Sequence, residues 1–298
     1  MKDENTYYVL KPDSFEEMTR LERQGALNTE AVGLTPLVDL SNLPSKPEIP
    51  LVLDIGCGPG EWARAMAIEY EKMQIIGIDI SEAMIKHATT RAKESKKTLN
   101  VRFIRMNALK PLDFPNNYFD LIHMRTAIGF IPRERWLEVF LECKRKLRPG
   151  GILLSTEGEN GVFTNASTNT AHLMHWLTQV IDFSGLAFWD KWGSMLGIHG
   201  MQRHFIRKAR FENIQEQLFY VDASFDTKQY LSWLGHHATM VKDLKPTICK
   251  SPELGGLGVS ESEFEAVLDA SYEEVRHPDF ISYSYYQAVA GQKPLEDN

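Results

Sequence analysis

The stretch Leu51-Val52-Leu53-Asp54-Ile55-Gly56-Cys57-Gly58-Pro59-Gly60 constrains this chain more than any other. It is an apolar run with β-branched members, then an acid, then three glycines in five positions. Such a run reads as a strand buried on both faces of a parallel sheet. Glycines straight after it let the backbone turn tightly and come close to a ligand that a side chain would hold off. From Glu61 the residues follow a helical pattern. Strand, glycine loop and helix together open a βαβ unit of the kind that cradles a nucleotide.

The same rhythm recurs downstream. Residues 51–55, 74–79, 101–106, 119–123, 152–155, 214–221 and 280–290 read as seven strands. Helices are expected over residues 60–71, after the N-cap Ser81, from Pro132, and over 201–209. The helix from Pro132 carries Trp136, Val139, Phe140, Cys143 and Leu147 on one face. Strands alternating with helices predict an α/β fold: a doubly wound, mostly parallel, seven-stranded sheet. Its ligands would sit at the carboxyl ends of the strands. Residues 1–49 read as an N-terminal helical arm. Ser14 and Glu17 have the form of a capping box, the helix is expected to end near Gly25, and a proline-rich linker runs from Leu43 to Pro50. Residues 50–298 form the domain, with helical lid insertions at about 158–198 and 222–279. In the second insertion, Ser260 and Glu263 mark another capping box.

Two ligand classes suit the opening loop. A dinucleotide site wants a third glycine three residues after the second, where Glu61 stands here, for close helix–strand packing. Here the spacing is G-x-G-x-G and Glu61 follows, a carboxylate that would repel a pyrophosphate at the helix start. S-adenosylmethionine (SAM) carries no phosphate, so an acidic loop suits it. No G-x-x-x-x-G-K-[ST] phosphate loop occurs in the chain. Asp54-Ile-Gly-Cys-Gly-Pro-Gly60 and Gly77-Ile-Asp79-Ile-Ser81-Glu82-Ala-Met84 resemble the first two motifs of the class I SAM-dependent methyltransferases, of the small-molecule, type 11/25-like branch. Residues 119–122 and 147–153 are similar to the motifs around strands four and five. The resemblance implies a Rossmann-like methyltransferase fold and SAM as cofactor. It implies a cofactor site of Asp54, Gly56, Cys57, Gly58, Gly60, Trp62, Asp79, Ile80, Met84, Asn107, Ala108 and Met124. Asp79 would accept both ribose hydroxyls, and Met84 would cover the adenine. Asn107 stands where the family often has an aspartate beside the adenine amine. Trp62 fits helix core as well as a pocket wall, Cys57 fits a small loop residue, and Asp120 fits a backbone-orienting role.

Methyl transfer from a sulfonium leaves a neutral, good leaving group, so the protein mainly positions and desolvates. An acceptor that must lose a proton needs a base. His123, Glu157, His199 and His236 are the catalytic candidates, with Arg125 and Glu159 nearby. Each lone histidine also fits a structural role. His236 and His237 are neighbours on a helix and point about 100° apart, so they suggest no metal. His172 and His175 lack a nearby carboxylate or cysteine to complete a ligand set. No metal is expected. The insertions carry Trp176, Phe183, Phe188, Trp189, Trp192, Met195, Phe225, Tyr230, Trp233 and Met240, which fit core or pocket. A small, fairly apolar or aromatic acceptor follows, methylated on O, N or C. The alternative is a SAM-binding, methyltransferase-like regulatory protein with little catalysis.

A formal charge of −7 argues against nucleic acid as partner. Nucleic-acid amino methyltransferases carry an N-P-P-[YF]-like stretch after strand four, and Ile122-His-Met-Arg125 is unlike it. The start, MKDENTYYVLKPD, lacks the apolar core of a signal peptide. No apolar run spans a bilayer. Three scattered cysteines suggest a reducing cytoplasm. No membrane partner is expected, and the N-terminal arm admits exchange within a homodimer.

Overall fold

The computed structural model describes residues 14–44, 49–163, 168–188 and 195–296. Helix α1 spans Phe15–Val32, and then β1 (Leu51–Ile55), α2 (Glu61–Glu69), β2 (Gln74–Asp79), α3 (Glu82–Lys93) and β3 (Val101–Arg105) alternate. They are followed by β4 (Phe119–Arg125), α4 (Trp136–Lys146) and β5 (Leu147–Phe163). The remaining elements are α5 (Thr168–Phe183), α6 (Ile198–Lys208), β6 (Glu212–Asp222), α7 (Tyr230–Ile248), α8 (Glu261–Arg276) and β7 (Ser282–Gln292).

The seven strands form one sheet in the order β3-β2-β1-β4-β5-β7-β6. Strands β1 to β5 pair in parallel, while β7 runs antiparallel to both β5 and β6. From β1 the chain steps outward to β2 and β3, then crosses back to place β4 on the other side of β1. That reversal opens a crevice at the carboxyl ends of β1 and β4, the place where such sheets bind ligands.

Why the sheet holds together follows from its two faces. One is covered by an apolar cluster that includes Leu53, Ile55, Phe119, Ile122, Met124, Trp136, Phe140, Ile198 and Ile206. The other packs Val52, Leu121 and Leu154 against Trp62, Ala63 and Met66 of α2 and against Val32. Trp136 and Phe140 are fully buried and meet edge to face at 5.6 Å. Burial of one such side chain contributes about 1.5–3 kcal/mol. A third cluster belongs to the inserted helices: Trp176, Leu177 and Val180 of α5 pack on Val241 and Leu244 of α7 and on Phe264 and Leu268 of α8. Glu274 of α8 joins them by polar means, accepting hydrogen bonds from the Asn169 and Thr170 N–H groups at the start of α5, at 2.9 and 2.8 Å. No helix among the described residues is long and apolar enough to cross a membrane.

Several boundaries differ from the sequence expectation. Helix α1 does not stop at Gly25 but continues to Val32, with Gly33 at its end. Helix α4 begins at Trp136, because Pro132 opens a separate turn in which Arg135 N–H donates to the Pro132 carbonyl. Strand β5 runs on through Phe163, since β7 supplies antiparallel partners beyond Ser155. Three expected caps are present: Ser14, Ser81 and Ser260 each accept from the N–H three residues on.

Candidate functional site

The glycine loop closes tightly over the ends of β1 and β2. Gly56, Gly58 and Gly60 have φ of 67°, 50° and 78°, all in the left-handed region. Cys57 N–H donates to the Ile78 carbonyl at 2.9 Å, so the loop is tied to β2. At Gly56 the demand is steric as well, because an added Cβ would lie 2.6 Å from the Phe130 ring. Gly60 is buried against Phe103 and Ala88, while Gly56 and Gly58 stay half-buried and leave main chain within reach of a ligand.

Asp79 stands beside that backbone. Its Oδ2 accepts from Gly58 N–H at 3.0 Å and its Oδ1 from Ser81 N–H at 2.9 Å. A carboxylate offers about four lone-pair positions, so two remain for ribose hydroxyls. Burial raises the Asp79 carboxyl above its ordinary value, while the backbone N–H bonds act in the opposite direction. Ser81 caps α3, which brings Met84, buried, and Ile80, half-buried, next to this acid. Asn107 and Ala108 follow β3 and are half-buried. Asn107 Oδ1 already accepts from Leu109 N–H at 2.8 Å, so an adenine amine would need the oxygen's second lone pair. Met124 is the cross-strand partner of Ile55, one residue before the loop, and its side chain is fully buried in the core cluster against which Ala108 packs.

Asp54 and His123 are cross-strand partners in β1 and β4. Asp54 Oδ1 and His123 Nδ1 lie 2.8 Å apart, both side chains almost fully buried. Trp62 stacks on the imidazole with ring centres 3.7 Å apart and planes inclined by 9°. Trp62 Nε1 donates to the Leu34 carbonyl at 2.9 Å, so this residue serves the core and the site floor together. Burial holds His123 below its ordinary value, against the pull of Asp54. A neutral ring that donates from Nδ1 to Asp54 keeps Nε2 as a proton acceptor. Cys57 is the opposite case. Burial, with Asp79 and Asp54 nearby, pushes its thiol well up, which leaves it unreactive.

Helix α1 lies over this loop and is more than a surface arm. An added Cβ on Gly58 would be 3.8 Å from Leu21. Glu22 Oε1 faces Arg64 at 3.4 Å, His87 at 3.0 Å and Arg91 at 3.6 Å, joining α1 to α2 and α3. Arg125, at the end of β4, pairs with Glu61 Oε2 at 3.0 Å and donates to Thr29 Oγ1 at 3.0 Å and to the Gly25 carbonyl at 3.3 Å.

The other catalytic candidates have structural partners. Glu157 is fully buried and accepts from Ala127 and Ile128 N–H at 2.8 and 3.0 Å. Burial pushes its carboxyl up to about 8, against those two N–H bonds. His199 lies in the first turn of α6, with Nε2 2.9 Å from the Glu157 carbonyl, and burial lowers its basicity. Glu159 accepts from Leu196 and Gly197 N–H at the start of α6. His236 falls in α7, and its side chain lies outside the described residues, as does that of Trp233. Trp189 and Trp192 lie outside them altogether. Trp176 and Tyr230 are buried in the inserted helices' own packing, whereas Phe183, Met195 and Phe225 are exposed. Among the described residues, no group of three or more His, Cys, Asp or Glu side chains could hold a metal ion.

Sequence reasoning missed Glu22, Gly25, Thr29, Phe130 and Tyr286. Tyr286 packs beside Gly158, and burial pushes its phenol up to about 12 with Arg125 opposing. A glycine inside a helical pattern was the one available signal, since it marks close approach as readily as a helix end.

Residues 52–151, about a third of the chain, match a family described as a methyltransferase domain. A malonyl-[acyl-carrier protein] O-methyltransferase of Paenibacillus sp. strain JDR-2 is 29% identical over 148 residues, covering 49% of this chain and 50% of that protein. A demethylmenaquinone methyltransferase of Listeria welshimeri is 36% identical over 103 residues, covering 34% of this chain and 42% of that protein. The chain spans half or less of the length of these curated relatives. A solved structure assigned as a methyltransferase from Bacillus halodurans C-125 superposes with a TM-score of 0.51 over 83% of this chain and 93% of that one, at 15% identity, a likeness of fold. The glycine loop with Asp79 alongside fits SAM, and over residues 52–151 the chain is similar to methyltransferase domains.

Proposed function

We propose that this chain transfers the methyl group of SAM to a small, fairly apolar or aromatic metabolite. The observation that carries the reading is the apposition of Asp79 to the glycine loop, with Gly58 N–H 3.0 Å from its carboxyl. Asp79 would hold the ribose, Met84 and Ile80 would flank the adenine, and Asp54 would face the methionine ammonium. When bound, SAM supplies an electrophilic methyl group on a good leaving group. The chain's own work is then to orient the acceptor and exclude water. Helix α1 over the loop supports such closure.

Of the candidate bases, His123 is the one whose ring is held by a carboxylate with a nitrogen left to take a proton. Glu157, Glu159 and His199 are engaged in backbone hydrogen bonds. His123 is itself buried beneath Trp62, so an O- or N-acceptor that must lose a proton would reach Nε2 only where the ring opens to the crevice.

Calorimetric titration with S-adenosylhomocysteine tests the cofactor reading. Asp79→Ala should weaken binding by about tenfold or more, the scale of losing hydrogen bonds to a charged group. Unchanged affinity would remove Asp79 from the ribose site. Tight binding without methylation across a panel of apolar, aromatic and polar acceptors would instead support a regulatory SAM-binding protein.

A further inference from the structure

We propose that Glu157 is a positioning residue for the methyl donor, acting through the turn after β4 and the ring of Phe130 on the backbone of Gly56. The proposal rests on the reading of the glycine loop as the SAM site.

The chain of contacts is short. Strand β4 ends at Arg125, and the next residue, Thr126, has φ 52° and ψ 34°. A β-branched residue in the left-handed region is strained, and such strain persists only where the surroundings enforce it. Here Thr126 N–H donates to the Thr156 carbonyl at 2.9 Å, and the next two N–H groups donate to the two oxygens of Glu157. The turn then closes on itself, with Phe130 N–H donating to the Ala127 carbonyl at 3.0 Å. Its last side chain, Phe130, lies so close to Gly56 that a methyl group there would sit 2.6 Å from the ring. The ring thus sets how far the first glycine of the loop can rise.

Both oxygens of Glu157 are occupied by main chain, and the side chain is fully enclosed. That placement suits holding a backbone and is poor for exchanging a proton with a substrate. The segment is also tied to the return of the first insertion, since His199 Nε2 lies 2.9 Å from the Glu157 carbonyl oxygen. With or without its proton, each oxygen of a carboxyl group can accept an N–H, whereas glutamine has the same shape but turns an NH2 group toward one of the two. Glu157→Gln should therefore loosen the turn while leaving the core packed.

The test is a double-mutant cycle on the full chain, with S-adenosylhomocysteine affinity read by calorimetry and folding followed by near-UV circular dichroism. E157Q should weaken affinity about tenfold with the fold intact, and Phe130→Ala should do the same. The double variant should be no worse than about twofold below the weaker single, because both changes act on one contact. A residue that only supports stability would lower the melting temperature and leave affinity alone. Affinity of E157Q within about twofold of the unaltered chain would overturn the proposal, as would fully additive losses in the double variant. Should E157Q fail to fold, unchanged affinity in F130A alone would overturn it. Absence of binding by the unaltered chain would overturn the cofactor reading and this proposal together, whereas Asp79→Ala losing affinity while E157Q keeps it would overturn this proposal alone.

Discussion

Two buried-acid motifs divide the carboxyl edge of the sheet. Beside β1 and β2, Asp79 accepts from Gly58 and Ser81 N–H and remains half-buried at the crevice. Beside β4 and β5, Glu157 accepts from Ala127 and Ile128 N–H and is fully enclosed. The hydrogen-bond chemistry is the same, yet one acid keeps its remaining lone pairs at the crevice and the other keeps them enclosed. On the first side the backbone is shaped by its own glycines and by the end of the neighbouring strand. On the second it is shaped by acids that hold distant segments: Glu157 holds the turn after β4, Glu159 the start of α6, and Glu274 the start of α5. A carboxyl group at a strand end is thus a ligand contact only where its own fold leaves it open.

The largest expected effect lies in the pH dependence of stability. Burial raises the Glu157 carboxyl from 4.5 to about 8. Between those values the unfolded chain has released the proton and the folded chain keeps it. The folded state then binds more protons, so this group's contribution to stability falls as pH rises through the window, by about 1.4 kcal/mol per unit, and is level above it. Asp79 is shifted in the same direction, but it is common to both proteins when the unaltered chain is compared with E157Q and cancels. The difference in unfolding free energy between the two, measured by urea denaturation from pH 5 to 8, should move steadily in favour of E157Q. A flat difference would mean that Glu157 is ionised throughout, and the two acids would then be electrostatically alike.

A smaller effect tests how the first side is closed. Gly25 lies inside α1, where glycine costs about 1 kcal/mol relative to alanine. An added Cβ there would be 2.7 Å from Glu61 Oε2 and 3.2 Å from Glu61 Cβ. Gly25→Ala should therefore strengthen the isolated helix and weaken its docking, since overpacking costs about 1–3 kcal/mol. A net loss of about 1 kcal/mol is expected, accompanied by faster amide exchange in α1. A net gain in stability would show that Glu61 yields easily and that α1 sits loosely on the loop.

These same residues show what was legible in the sequence. The glycine loop was readable because positive φ and close approach are demands that single residues express. The alternation of strands and helices was readable because apolar periodicity is local. Gly25 was misread as a helix end, because its reason lies in Glu61, remote in sequence. The end of β5 was misread because Thr156, Glu157 and Glu159 are polar, and polar residues after an apolar run look like a loop. They are buried all the same, each acid satisfied by N–H groups of another segment and the strand extended by pairing with β7. Pro132 was misread as the start of α4, since proline suits a first helical turn and a separate turn equally well. Site residues that follow from motif position, such as Asp54, Asp79 and Met84, assemble around the loop. Met124 lies beside Ile55 just before the loop, with its side chain in the core.

The smallest expected effect concerns the insertions. Glu274 accepts from the Asn169 and Thr170 N–H groups and also from Asn169 Nδ2 at 2.7 Å and Thr170 Oγ1 at 2.9 Å. It therefore supplies from α8 the cap that α5 would otherwise need from its own first residues. These N–H bonds hold its carboxyl below the ordinary value, against a partial burial that acts the other way. Glu274→Gln replaces one acceptor by a donor facing an N–H. Because the group is half-buried, the loss should be about 1 kcal/mol. Amide exchange should quicken at the start of α5, with S-adenosylhomocysteine affinity unchanged. A fall in that affinity would show that the inserted helices reach the donor site, and that the acids on the two sides of the sheet act on one ligand.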